Sequence, residues 1–274
     1  MIGARLFDGD LDRAEIFSLF FTTGIAGAGR EGAVSINSAA LALGRPFETV
    51  RRHVNALIAR GWCERTADGV RVAPAVWRTK GTQRAMDLLH DGLVRFLADA
   101  TAAGILRVPP LPAGRTFERI DGVRAAIELT LAMVGRHRGA LPDLNDFAVF
   151  SAVLATNMRR LEAYPQPKGP PPPGTRPFHP VHALRVASIA RYFGMAETTV
   201  RRRAMAMVGP GKPLIRVRSG LLISVEWIAS LDLVARGDRR HGTMTLILGR
   251  IAAAGFPFHV PALAYRIGRP PFEM

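Results

Sequence analysis

The residues with the most pointed chemistry in this sequence are arginines. Arg51-Arg52 and Arg201-Arg202 are adjacent pairs 150 positions apart, and a Thr-Val dipeptide precedes each. A guanidinium is planar, permanently charged and carries a fork of donors, so it grips phosphate and pairs bidentately with the edge of guanine. Polar neighbours extend each pair: Arg45, Phe47, Glu48, Thr49 and Asn55 around the first, and Glu197, Thr198, Thr199 and Arg203 around the second. Arg65 and Arg71 follow the first group, and Arg216 and Arg218 the second. Together these positions are the candidate contact set for a polyanion.

Catalytic chemistry has weaker footing. Gly27, Gly29 and Gly32 spell G-x-G-x-x-G, but that fingerprint needs a strand before it, and a helical apolar pattern precedes it. The string GPGKP at Gly209–Pro213 lacks the Walker spacing. His179 and His182 lie three apart without a companion metal ligand. The single Cys63 excludes an intramolecular disulfide and any multi-cysteine zinc site. No Ser/His/Asp or Cys/His set can be assembled. The expectation is a chain with no enzymatic activity, no metal and no cofactor.

The arginines must be positioned by folded elements, and composition allows them. Of 274 residues, 48% are hydrophobic and 22% charged, enough for a buried core. Net charge is +15, which favours an anionic partner. All but three of the basic residues (Lys80, Lys168 and Lys212) are Arg. The charge is uneven: residues 1–162 carry net +4 and residues 163–274 net +11. No apolar run reaches the length of a transmembrane helix, and the acidic residues Asp8, Asp10, Asp12 and Glu15 are the wrong flank for a signal peptide. A cytoplasmic, nucleoid-associated protein without membrane contact is expected.

An internal repeat organises the chain. A shift of 150 aligns Ser38–Gly61 with Ser188–Gly211, and nine of 24 positions match, including the run Thr49-Val50-Arg51-Arg52 against Thr199-Val200-Arg201-Arg202. Trp77 pairs with Trp227 at the same shift. Upstream, Phe17-Ser18 and Thr23 correspond to Phe150-Ser151 and Thr156; downstream, Leu97–Gly104 resembles Leu248–Gly255. Two units follow, 1–140 and 141–274, with repeated cores at 34–77 and 184–228. The Pro-rich stretch at 165–177 falls inside the second unit, as a stiff loop rather than an interdomain linker.

Each core reads alike. A short apolar helix ends at Gly44 or Gly194. A second helix, Pro46–Arg60 or Glu197–Val208, places Val50, Val54, Leu57 and Ile58, or Val200, Ala204, Met207 and Val208, on one buried stripe. A hairpin then turns around Asp68-Gly69 or Ser219-Gly220. The apolar stretches at 82–103, 117–136 and 244–254 predict trailing helices that pack the units together or pair two copies of the chain.

The strings LALGRPFETVRRHVNALIARGW and IARYFGMAETTVRRRAMAMVGPG resemble the winged helix-turn-helix of bacterial transcription regulators, in the style of the MarR- and GntR-like superfamily. The resemblance implies a mainly helical fold with small hairpin wings, in two tandem copies. It implies double-stranded DNA as partner, the second helix of each core in the major groove, and the wing arginines on phosphate or minor groove. Two recognition helices in one chain would act as a pseudo-dimer. A plasmid or phage replication initiator with paired winged helices, and a nucleoid-architectural or protein-interaction module, are the alternatives.

Overall fold

Asp10 starts the first helix: its carboxylate accepts the Arg13 amide at 2.8 Å, satisfying a first-turn donor that has no partner inside the helix. A computed structural model of the chain describes residues 6–26, 32–104, 106, 115–165, 169–230 and 237–271. Helix α1 (Leu11–Ala26) buries Ile16, Phe17, Phe20 and Phe21. Helix α2 (Ile36–Leu43) is capped by Ser35 and ended by Gly44 at φ 54°, and α3 (Phe47–Ala59) follows at once. Strands β1 (Cys63–Thr66) and β2 (Gly69–Val72) form an antiparallel hairpin. Val50, Val54 and Leu57 of α3 are fully buried against α1 and the hairpin, as the helical spacing requires. Trp62 completes the cluster, its ring 4.9 Å from Phe7 and 5.2 Å from Phe17.

The second unit has the same order of elements. Helix α6 (Leu144–Ala163) is capped by Asp143, which accepts the Asp146 amide at 3.0 Å. Helix α7 (Val186–Phe193) ends at Gly194, φ 66°, and leads into α8 (Glu197–Ala206). Strands β3 (Leu214–Val217) and β4 (Gly220–Ile223) pair antiparallel, and α9 (Val225–Ser230) buries Trp227 against Phe150. The fold is thus mainly helical with two small antiparallel hairpins. Helix α8 stops two residues short of the expected Val208, because Val208 bridges to Leu214 instead of continuing the helix.

Helices α4 (Lys80–Ala102) and α5 (Arg119–His137) lie between the two repeated cores along the chain, and α10 (Gly237–Ala253) packs on α5. Ile247, Ile251 and Phe256 join Leu93, Leu97 and Leu129 in a third apolar cluster. The carboxylate of buried Asp91 accepts the amides of Arg266, Ile267 and Gly268 at 2.8, 2.9 and 3.1 Å, which straps the C-terminal segment across α4. Of the Pro-rich stretch, residues 166–168 lie outside the described ones. Its remainder packs on the second unit: the Val225 amide donates to Gly174 and Phe178 enters the core. Among the described residues no helix is long and apolar enough to cross a membrane.

Both hairpins turn one residue earlier than expected. Thr66 pairs with Gly69 and Val217 with Gly220, so the turns are Ala67-Asp68 and Arg218-Ser219. The glycines are the first strand residues, at φ 140° and 145°. A Cβ there would stand 2.6 Å from the Val34 carbonyl or 2.4 Å from that of Leu184, because those residues bridge to Val70 and Leu221. The positive φ and the contact with a third strand-like segment both demand the glycine. Gly69→Ala and Gly220→Ala should each cost more than about 1 kcal/mol, read as a lower urea midpoint with an unchanged slope.

Candidate nucleic-acid interface

The second helices of the two cores present their polar faces differently from residue to residue. On α3, Phe47, Glu48, Arg51, Arg52 and Asn55 are exposed and Thr49 is half-buried. On α8, Glu197, Thr198, Arg201 and Arg202 are exposed and Thr199 is half-buried. Neither helix has a side-chain cap, since Pro46 and Ala196 occupy the cap positions. Their first-turn amides are therefore left to solvent or an anion.

The paired arginines split in function. Arg51 is held by Glu48 through two bonds, 2.8 and 2.6 Å. Arg201 is held by Glu197 one turn earlier. Both pairs are exposed, so they orient the guanidinium while adding little stability. The Arg51 contact lowers the Glu48 carboxyl pKa and raises that of the guanidinium. Arg52 and Arg202 make no ion pair within 4 Å among the described residues, although the Arg52 charge also helps to lower the Glu48 carboxyl. They are the free positive charges at matched positions of the two helices.

The hairpins add to each face. Arg65 donates to Asn55 at 2.9 Å, tying β1 to α3. Arg71 is paired with Glu64 at 2.6 Å and so is partly neutralised. Arg216 is exposed beside the Met205 sulfur. Arg218 is exposed in the second hairpin's turn, where the first hairpin has Ala67-Asp68. Exposed Arg185 and Arg191 escaped the reading of the sequence. They replace Ser35 and Leu41 of the first unit, a comparison that the 150-residue shift makes available.

Arg45 and Arg203 are corrections. Both were grouped with the exposed face, and both turn inward. Only 12% of the Arg45 side chain is exposed; it meets Asp12, Glu15 at 3.1 Å and Asp143 at 3.7 Å. Arg203 meets Asp143 at 2.9 Å and Asp146 at 3.0 Å. Arg203 lies three residues after Val200, beside the buried stripe, so helix geometry sends it toward α6. The acids that claim these arginines stand at the starts of α1 and α6, far away in sequence.

These contacts form a junction between the units. Asn145 donates to Asp12 at 3.0 Å, and these two residues are equivalents under the 133-residue shift that superposes Phe17 on Phe150. Arg138 approaches Glu15 at 3.9 Å. A Cβ on Gly44 would strike the Arg138 guanidinium, and one on Gly9 would strike the Gly194 carbonyl. Each helix-turn-helix bend therefore abuts the segment leading into the other unit's first helix. Burial raises the Glu15 carboxyl above its ordinary range, against the opposing pull of Arg45 and Arg138. Burial, then Asp143, raises Asp146 likewise. Burial works against the Arg45 charge, but Asp12, Glu15 and Asp143 outweigh it and its pKa is raised.

Other chemical candidates resolve into structure. Both ring nitrogens of His182 are engaged: Nδ1 accepts the His179 amide at 2.9 Å and Nε2 faces the Tyr164 carbonyl at 3.0 Å. Gly27 and Gly29 lie outside the described residues, and helix α1, not a strand, runs toward them. Cys63 is buried, and burial pushes its thiol up to about 12, which leaves it unreactive at neutral pH. Asp10, Asp12 and His53 bring ligand atoms within 4.8 Å of one another, a grouping that sequence spacing does not reveal. Asp10 caps α1, and Asp12 is engaged by Arg45 and Asn145.

Two predictions follow from the junction. Arg45→Met leaves Glu15 buried with one distant counter-charge, and unfolding free energy should fall by about 3 kcal/mol, the lower end for a broken buried pair. His53 is held below its ordinary value of 6.5 by burial, against the pull of Asp10 and Asp12 and with Arg52 and Arg13 adding to the shift. The unfolded imidazole takes a proton that the folded one resists, so stability is lost as pH falls through 6.5. Denaturation midpoints between pH 7.5 and 5.5 should fall less in His53→Gln than in the parent chain.

Comparison of the chain with protein-family models, curated proteins and solved structures returns no match.

Proposed function

We propose that the chain is a sequence-specific, double-stranded DNA-binding transcription regulator built from two tandem winged helix-turn-helix units acting as a pseudo-dimer. One observation carries the reading. Two helix–glycine–helix–hairpin units, 150 residues apart, each expose one acid-held arginine and one free arginine at matched helix positions. A surface that merely needs solubility has no reason to place them at the same register twice. The held arginines, Arg51 and Arg201, are pre-oriented for bidentate pairing with guanine. The free ones, Arg52 and Arg202, suit phosphate. Arg65, Arg216 and Arg218 supply wing contacts, and Arg185 and Arg191 add grip to the second unit. Arg45 and Arg203 belong to the junction and set the spacing of the two helices.

Selection of bound duplexes from a random library, with affinity measured over a salt series, tests this. A bipartite site is expected, with non-identical halves. Arg51→Ala should relax one half and Arg201→Ala the other, each by about 1–3 kcal/mol of discrimination. Arg202→Ala should leave the selected sequence intact and reduce the salt slope by about one. Equal affinity for all duplexes would overturn the reading and favour an architectural role. Selected sites arrayed only as origin-type repeats would favour a replication initiator.

A further inference from the structure

Helices α1, α4, α5 and α6 line a half-open cavity of about 480 Å³ that the proposed DNA contacts do not use. Phe7, Phe17, Phe21, Trp62, Phe96 and Phe147 give it aromatic walls. Its size falls within the range of small-molecule pockets, about 300–1,000 Å³. Its lining is almost wholly apolar, so a guest that takes this surface out of water gains free energy in proportion to the area it covers.

The lining also selects the ligand's charge. Among the described residues lining it, Glu15 is the one ionisable side chain. Oε2 of its carboxylate is bound by Arg45 at 3.1 Å, and Oε1 is enclosed, 3.9 Å from the Arg138 guanidinium. An anion entering the cavity would lose its hydration and find no counter-charge in the lining, and a cation would meet a carboxylate already faced by two guanidinium groups. The remaining polar contributions are hydroxyls of Ser18, Thr82 and Thr130, and those of Thr82 and Thr130 are already engaged with Thr79 and the Ala126 carbonyl. A second copy of the chain fits less well, because the aromatic walls are recessed between four helices and only Phe96 among the six named rings is exposed.

We infer that this cavity is a binding site for an uncharged, lipophilic small molecule with an aromatic or branched body. Its floor is shared with the junction. Leu11, Glu15 and Leu144 line the cavity, and they stand at the starts of the two helices, α1 and α6, that join the units. An occupant would pack under the contact that sets the relative placement of the two helix-turn-helix bends. The binding site itself stands independently of the DNA-binding reading.

The test uses two dyes with the same aromatic body, neutral N-phenyl-1-naphthylamine and its anionic relative 8-anilino-1-naphthalenesulfonate. The neutral dye should bind the intact chain saturably, one per chain, with quenching of tryptophan emission. The sulfonate should bind at least tenfold more weakly. Gly92 is exposed in α4 and a Cβ there meets nothing within 4 Å, so Gly92→Phe can plug the mouth without strain. It should abolish dye binding while the melting temperature holds or rises. Thr130→Phe, at an exposed lining position on α5, is the second plug should the first fail to fold. No saturable signal from the neutral dye, equal binding of the two dyes, or parent-like binding in both plugged variants would overturn the inference. So would a chain that is dimeric by light scattering and dissociates as the dye binds, which would assign the cavity to a partner copy.

Discussion

Asp143 is reached from both directions, by Arg45 from the first unit and by Arg203 from the second. Around it stand Asp12, Glu15 and Asp146, with Arg138 and Asn145 completing the set. Carboxylates withdrawn this far from water are tolerable only beside guanidinium groups and hydrogen-bond donors. The second unit has two carboxylates here to one guanidinium, and Arg45 of the first unit makes up the difference. The first contributes Asp12, Glu15, Arg45 and Arg138, the second Asp143, Asn145, Asp146 and Arg203, by the division of the chain at residue 140. Satisfying the charges therefore fixes how the starts of α1 and α6 meet, and with them the glycine bends at Gly44 and Gly194. The placement of the polar helix faces, the floor of the apolar cavity and the burial of Glu15 all depend on that arrangement.

The cluster also explains why equal chemistry meets unequal fates along one helix. Arg201, Arg202 and Arg203 are consecutive. At about 100° per residue they leave α8 in three directions. The first turns back on Glu197, the second enters solvent and the third reaches α6. On α3 the matched sequence is Arg51, Arg52 and His53, and His53 occupies the inward direction beside Asp10, as Arg203 does beside Asp143. The pattern is thus of one orienting pair, one outward cation and one inward side chain, which is an arginine held by two carboxylates in the second unit and a histidine beside Asp10 in the first.

The charge asymmetry of the chain acquires a location in the same way. The second unit carries Arg185, Arg191 and Arg218 where the first has Ser35, Leu41 and the Ala67-Asp68 turn. All three arginines are exposed. In electrostatic terms the second unit therefore presents the more positive surface.

Much of this was legible in the chain itself. Buried spacing in Val50, Val54 and Leu57 dictates a helix because a 3.6-residue period leaves one dry face. Gly44 and Gly194 end helices because the left-handed turn excludes a Cβ, and the 150-residue repeat pairs the elements before any coordinates are needed. Local rules carry such information because each involves residues a few positions apart. They could not place Gly69 and Gly220 in strands, since the reason is the backbone of Val34 and Leu184 pressing from another segment. Nor could they remove Arg45 and Arg203 from the exposed set. A side chain's destination is decided by the charge it meets, and for these two the partners lie up to 98 residues away, as between Arg45 and Asp143. Sequence alone determined which residues form helices and which helix faces are polar; only the tertiary structure decided which arginines remain free, because burying a carboxylate elsewhere claims the rest.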